Sequence, residues 1–193
     1  MPYSHILIMK AGPYCGYSLP EIIKIKQKEQ RNCGRFFWGY SGVFCRPNAI
    51  AGFVSHARQA KQTIKVLFVE TKSSYAPSEF GRFTHFGASL SQWQRLPKQV
   101  LLVGNKNVLH FAIVARNLKP ENFELNLGDY CSFSGMFPNK NKYLDKYFRG
   151  RVDKACGLYW PKENTVKQLV KVSYTAELAE PYCVYIMDSA SSP

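Results

Sequence analysis

Two segments combine residues that do chemistry with the backbone signals that would present them. Pro13-Tyr14-Cys15-Gly16-Tyr17-Ser18 and Gly39-Tyr40-Ser41-Gly42-Val43-Phe44-Cys45-Arg46-Pro47 each join Gly, Tyr, Ser and Cys just ahead of a predicted helix start. A helix N-terminus offers backbone N–H groups and the positive end of the helix dipole, which suit an anion and lower the pKa of a nearby thiol. Arg46, beside Cys45, adds to both effects. If the two loops end at one edge of a sheet, Tyr14, Tyr17, Trp38, Tyr40 and Arg46 line a common pocket whose aromatic, cationic character suits a flat nucleobase or nucleotide.

A cysteine nucleophile at Cys15 or Cys45 needs a base. Of the four histidines, His110 lies in the apolar run Val108 to Val114 and reads as a sheet residue, and His56 lies too far along its helix to meet Cys45. His85, in Phe83-Thr84-His85-Phe86, is the more plausible partner, so Cys45, Cys15 and His85 are the candidates for catalysis. No Cys-x-x-Cys or His-x-x-x-His pair, phosphate-binding loop or dinucleotide fingerprint is present, and no metal or cofactor is expected.

Charge supplies a second line of reasoning. Twenty-six Lys and Arg against 13 Asp and Glu give a formal net charge of +13. Such a field attracts polyanions over about one Debye length, ~8 Å at physiological ionic strength. The excess is uneven: residues 1–65 carry 10 basic and 2 acidic residues, and residues 139–171 carry 9 and 3. Lys24, Lys28 and Arg31 fall at i, i+4 and i+7 and would share one helix face; Lys142, Lys146 and Arg149 repeat the spacing, flanked by Tyr143 and Tyr147. Together with Arg46 these six form the expected phosphate-binding set, and Tyr14, Tyr17, Trp38 and Tyr40 the base-stacking set. Exposed faces of amphipathic helices are also ordinary places for lysine.

The elements that must position these groups follow from local pattern. The apolar run 5–9 reads as a buried strand, and Ser18-Leu19-Pro20-Glu21 as a capping box opening a helix that ends at Gly34. Arg35 to Tyr40 reads as a strand, Pro47 to about Ala60 as a second helix, and Ile64 to Val69 as the clearest strand. Phe80 to Phe86 suggests an edge strand. Gln99–Val103 and Val108–Ala115 suggest a hairpin, and Phe123–Leu127 with Tyr130–Phe133 another. Asn141 to Ala155 reads as a late helix. Val166–Tyr174 and Tyr182–Met187 read as a final antiparallel pair.

Strand runs with segregated helices imply an α+β fold: a largely antiparallel, curled sheet, tending to a barrel, with two early helices and one late one. One domain is expected over 1–187, with a frayed tail at 188–193. The strand–helix–strand start, Trp38-Gly39 and Leu127-Gly128-Asp129 together resemble the barrel-like PUA and EVE domains that read modified bases, and that resemblance implies a barrel.

A composition of 46% hydrophobic and 20% charged residues excludes disorder as the main state. No export signal precedes the run 5–9 and no stretch approaches the ~20 apolar residues that span a bilayer, so the six cysteines are expected reduced and the chain cytoplasmic. The leading functional expectation is a nucleic-acid or nucleotide-binding module. The alternatives are an interaction protein, such as an inhibitor or effector, docking on an acidic partner, and a small Cys/His-dependent enzyme.

Overall fold

The structure, a computed structural model, describes residues 3–72, 80–106, 108–135, 137–148, 152–163 and 167–188. The chain opens as β1 (His5–Ala11), α1 (Leu19–Cys33), β2 (Phe36–Ser41), α2 (Pro47–Gln59) and β3 (Ile64–Glu70). β4 (Gly81–Ser89), β5 (Gln92–Arg95), β6 (Val103–Gly104) and β7 (His110–Asn126) follow, then a single 3-10 turn, Leu127–Asp129. The remainder is β8 (Tyr130–Ser134), β9 (Phe137–Tyr143), α3 (Leu144–Tyr147), β10 (Lys154–Tyr159) and β11 (Leu169–Asp188). The fold is α+β and dominated by sheet. Among the described residues no helix is long and apolar enough to cross a membrane.

The main path of the sheet runs β2-β7-β11-β3-β1-β10-β8-β9, with β4 branching from β11 and carrying β5 and β6. Among the described residues only β1 and β3 pair in parallel, through a crossover that contains both early helices; the other ladders are antiparallel. The path ends at β2 and at β9, with no ladder joining them among the described residues, so the sheet is open. The expected closure towards a barrel is therefore not found. The sheet still bends far enough that the Lys154 ammonium on β10 stands 4.6 Å from the ring centroid of Tyr40 on β2, with four strands between them along the path.

Both early helices pack where their sequences predict. In α1, Ser18 and Glu21 form the capping box, Pro20 occupies the first turn, and Gly34 takes a left-handed φ of 71° that ends the helix. α2 buries Ile50, Phe53, Val54 and Ala57 against Leu7, Met9, Val66, Phe68, Phe111 and Ile113 of the concave face. The opposite face of β1 and β3 holds a second cluster with Ile6, Ile8, Leu67, Tyr130, Leu144 and Phe148.

Four local expectations are overturned. The late helix shrinks to the single turn α3, because Asn141 to Tyr143 belong to β9 and Lys154 to Tyr159 are needed as the strand between β1 and β8. Leu144 and Phe148, spaced like helix neighbours, still reach one core, which is why the pattern looked helical. The hairpin expected around residues 104–107 does not form, since β6 pairs with β4. Nor does the one around Gly128-Asp129: the 3-10 turn hands the chain from β7 to β8, which pairs with β10 and β9. Finally, the two closing segments are parts of one 20-residue strand, β11. A register break between Leu178 and Cys183 absorbs Pro181, which could not sit in a continuous ladder. Asp188, expected to open a frayed tail, is buried and pairs with Phe83; residues 189–193 lie outside the described residues.

Candidate functional site

A cleft of about 680 Å³ opens where β1 and β3 end. Its walls come from Ala11 to Cys15 and Tyr17 after β1, Ile22, Ile25 and Lys26 of α1, Trp38 to Ser41 of β2, Leu101 to Val103, and Asp153–Lys154 at the start of β10. Side chains of a strand alternate between faces. Four consecutive residues can line one cleft only along the strand's edge, and β2 is a terminal strand whose ladder lies on the β7 side alone.

The loop after β1 is a two-residue hairpin. Tyr14 N–H donates to Tyr17 O and Tyr17 N–H to Tyr14 O, both at 3.0 Å, around Cys15 and Gly16 with φ of 53° and 81°. Positive φ at both central positions is the signature of the tight turns that join antiparallel strands, and it sets the two tyrosines side by side. Glycine takes that conformation freely and cysteine does not, so Cys15 is held there by the turn.

From β2, Trp38 and Tyr40 point to the concave face. The Trp38 ring lies 4.9 Å from that of Phe68. Tyr40 is buried, its hydroxyl donates to the Cys45 carbonyl and lies 3.2 Å from Cys183 Sγ, and its ring carries the Lys154 ammonium. Tyr40 therefore builds the floor of the cleft, leaving Tyr14, Tyr17 and Trp38 as the rings a ligand can reach.

Two buried ammonium groups line the walls. Lys154 is 4% exposed and bonds Asp153 Oδ2 at 2.5 Å. Lys26 donates to Glu29 Oε1 at 2.7 Å and to the Leu101 carbonyl at 2.8 Å, while Glu29 accepts from the backbone N–H of Leu101 and of Phe37. Burial lowers the Lys26 pKa and raises that of Glu29, and each partner opposes the other's shift. This pair ties α1 to β2 and to the segment before β6. Lys26 and Glu29 stand at i and i+3 beside Leu19 and Ile23 on the apolar face of α1, and that spacing was the sequence signal for them. Lys154 carried no such signal, because it fell inside the segment read as helix.

The structure thus brings Tyr14, Tyr17, Trp38, Tyr40 and Cys15 together at one cleft and leaves other candidates elsewhere. Arg46 is the exposed N-cap of α2, its guanidinium 5.9 Å from the Phe111 ring centroid. Lys24, Lys28 and Arg31 do share an exposed face of α1, but it is the face away from the cleft-lining Ile22, Ile25 and Lys26. Lys142 is exposed on β9 and Lys146 on α3, at the far end of the sheet path, so they form neither a helical stripe nor a common face with α1. Arg149 lies outside the described residues.

The thiol candidates are not paired with a base. His85 sits on β4 beside Thr84 Oγ1, and among the described residues no histidine is hydrogen-bonded to Cys15 or Cys45. Burial raises the Cys15 thiol pKa, against a hydrogen bond with Tyr14. The α1 N-terminus carries its own carboxylate, with Ser18 N–H donating to Glu21 Oε2 at 2.8 Å, so one of the donors expected for an anion is already taken. Cys45, with φ of 53°, lies in a group of buried sulfurs: a hydrogen bond with its side chain holds the Cys156 thiol high, and burial pushes Cys183 up to about 12. Among the described residues no group of three or more His, Cys, Asp or Glu could hold a metal ion.

Comparison with family models, with curated proteins and with solved structures returns no match to this chain.

Proposed function

We propose that the chain is a nucleotide or nucleic-acid-binding module whose cleft takes one nucleotide unit. The observation that carries the reading is a single concave site combining reachable aromatic rings with buried ammonium groups. Its volume, about 680 Å³, falls in the range of small-molecule sites, roughly 300–1,000 Å³. Tyr14, Tyr17 and Trp38 supply stacking surface, and the β2 edge supplies backbone donors and acceptors of the kind that read a base. Lys10, Lys26 and Lys154 line the cleft with the carboxylates Glu70 and Asp153, and Lys26 is bonded to Glu29, so a phosphate would draw on the Lys10 and Lys154 ammonium groups rather than on a net positive field. An acidic protein partner would call for a flat basic face, and a concave aromatic site favours the smaller ligand.

Titration with the four ribonucleoside monophosphates, followed by the fluorescence of a Trp93→Phe/Trp160→Phe chain in which Trp38 is the remaining tryptophan, tests this. Binding is expected to weaken about tenfold in Tyr17→Ala, the loss of one stacked ring. It should also fall in Lys154→Met and grow weaker with salt. Absence of any binding at low ionic strength, with the folded wild-type chain, rejects the reading.

A further inference from the structure

Three of the six cysteines meet on the concave face, although they come from distant parts of the chain. Cys45 lies in the turn between β2 and α2, Cys156 on β10 and Cys183 on β11, and all three pack in the cluster that α2 covers. The Cys45 and Cys156 thiols are hydrogen-bonded to each other. Cys183 Sγ instead lies 3.8 Å from the Cys45 carbonyl oxygen and 3.2 Å from the Tyr40 hydroxyl. Cys45 is partly exposed, whereas Cys156 and Cys183 are buried.

Small buried thiols ordinarily serve as packing, and that role accounts for Cys183. Cys45 and Cys156 differ from it: their sulfurs meet, and one of the two residues is reachable from solvent. Cys45 also holds φ at 53°, a conformation that glycine or asparagine takes more readily. The pair adjoins the floor of the cleft. The Cys45 carbonyl accepts from the Tyr40 hydroxyl, and Lys154, two residues before Cys156 on the same face of β10, stands over the Tyr40 ring.

We propose that Cys45 and Cys156 are a reversible redox site, in which hydrogen peroxide converts the two thiols to a disulfide that fastens the β2–α2 turn to β10. The Cys45 sulfur, as thiolate, takes one oxygen of the peroxide; the O–O bond breaks and water leaves. The Cys156 sulfur then attacks the Cys45 sulfur of that sulfenic acid, and the S–S bond forms as the S–O bond breaks and a second water leaves. Together the thiols give up two electrons and two protons, and one peroxide is reduced to two waters. The hydrogen bond with Cys45, and then burial, hold the Cys156 thiol well above its usual range. Little thiolate stabilises the reduced pair, so the disulfide is favoured at equilibrium while the second step is slow.

The test treats the full chain with a small molar excess of hydrogen peroxide, alkylates the remaining thiols and digests with trypsin without reductant. Cys45, Cys156 and Cys183 fall in different tryptic peptides, so mass spectrometry reads the pairing directly. A peptide linking Cys45 to Cys156, lost on treatment with dithiothreitol, is expected. The linked chain should melt roughly 5–15 °C above the reduced one, because the bond closes the long loop from 45 to 156. Cys45→Ser should abolish both the link and the rise, and Cys183→Ala should keep both, with far-UV circular dichroism checking that each variant is folded. Should either variant fail to fold, the wild-type map alone decides the pairing. A link from Cys45 to Cys183 or Cys15, or Cys45 left as thiol or taken to sulfinic acid without a link, overturns the proposal. A linked chain with an unchanged midpoint overturns the fastening of the turn to β10. None of these readouts uses a cleft ligand, so their failure leaves the nucleotide reading standing, and failure of nucleotide binding leaves the disulfide standing.

Discussion

The His5–His56 pair makes stability depend on pH in a way that can be worked out. His5 is 1% exposed at the start of β1; its Nε2 lies 2.9 Å from His56 Nδ1 and its Nδ1 3.0 Å from Ser4 Oγ. Burial, and then the charge of His56, lower the His5 pKa from 6.5 to about 4. In the unfolded chain the ring takes its proton near 6.5, so between 6.5 and 4 the unfolded state binds more protons than the folded one. The contribution of His5 is therefore full above pH 6.5 and is lost as the pH falls towards 4. Linkage between those two pKa values gives a loss of about 2 kcal/mol from pH 7 to pH 5. Urea unfolding at both pH values and constant ionic strength measures it, with Gln at position 5 as the non-titrating control. The general repulsion of a chain at +13 is common to both proteins and cancels in the comparison. Wild type should lose about 2 kcal/mol more than His5→Gln, with unchanged m-values. Equal losses in the two proteins, or a His5 ring that titrates near 6.5 by NMR, would refute the reasoning.

Three further substitutions probe Lys26 of the cleft wall, the exposed face of its helix and the packing around His110. Lys26→Met leaves the Glu29 carboxylate buried beside backbone donors alone and should cost about 3–5 kcal/mol in chemical denaturation. Lys24→Met, on the exposed face of the same helix, should cost under ~0.5 kcal/mol, and similar losses at both sites would reject the assigned face. Gly104→Ala puts a methyl carbon 2.6 Å from His110 Cε1, in a ring held by the Asn105 carbonyl and packed on Phe83. It should destabilise the chain by about 1–3 kcal/mol, visible as a lower thermal midpoint.

Signals confined to one turn or one strand were legible in the sequence. The Ser18/Glu21 box, Gly34 and the run Ile64 to Val69 fixed their elements because their causes are local. The tyrosine and tryptophan set of the cleft was readable for the same reason, since each ring sits beside a turn or a strand end that its own neighbours specify. What depended on pairing across the chain was not readable. Tyr143 is a strand residue because Cys131 lies opposite, and Lys154 lines a cleft because the sheet bends to bring β10 towards β2. The sequence reads as two strands, Val166–Tyr174 and Tyr182–Met187, whereas β11 runs through Pro181 by slipping register against Ala115 and Ile113. Charge spacing misled most: Lys142 and Lys146 keep a helical interval in a segment that is mostly strand.

The placement of β11 bears on how the chain is made. Among the described residues it is the last strand in chain order, yet it lies between β7 and β3 and also carries β4. During synthesis, every earlier element leaves the ribosome before the strand that joins the two halves of the sheet exists. Until Leu169 to Asp188 arrives, β3 and β7 present unpaired edges of apolar, β-prone sequence, which are the surfaces that recruit other nascent chains. A chaperone that shields strand edges during that interval is expected to raise the yield of folded protein.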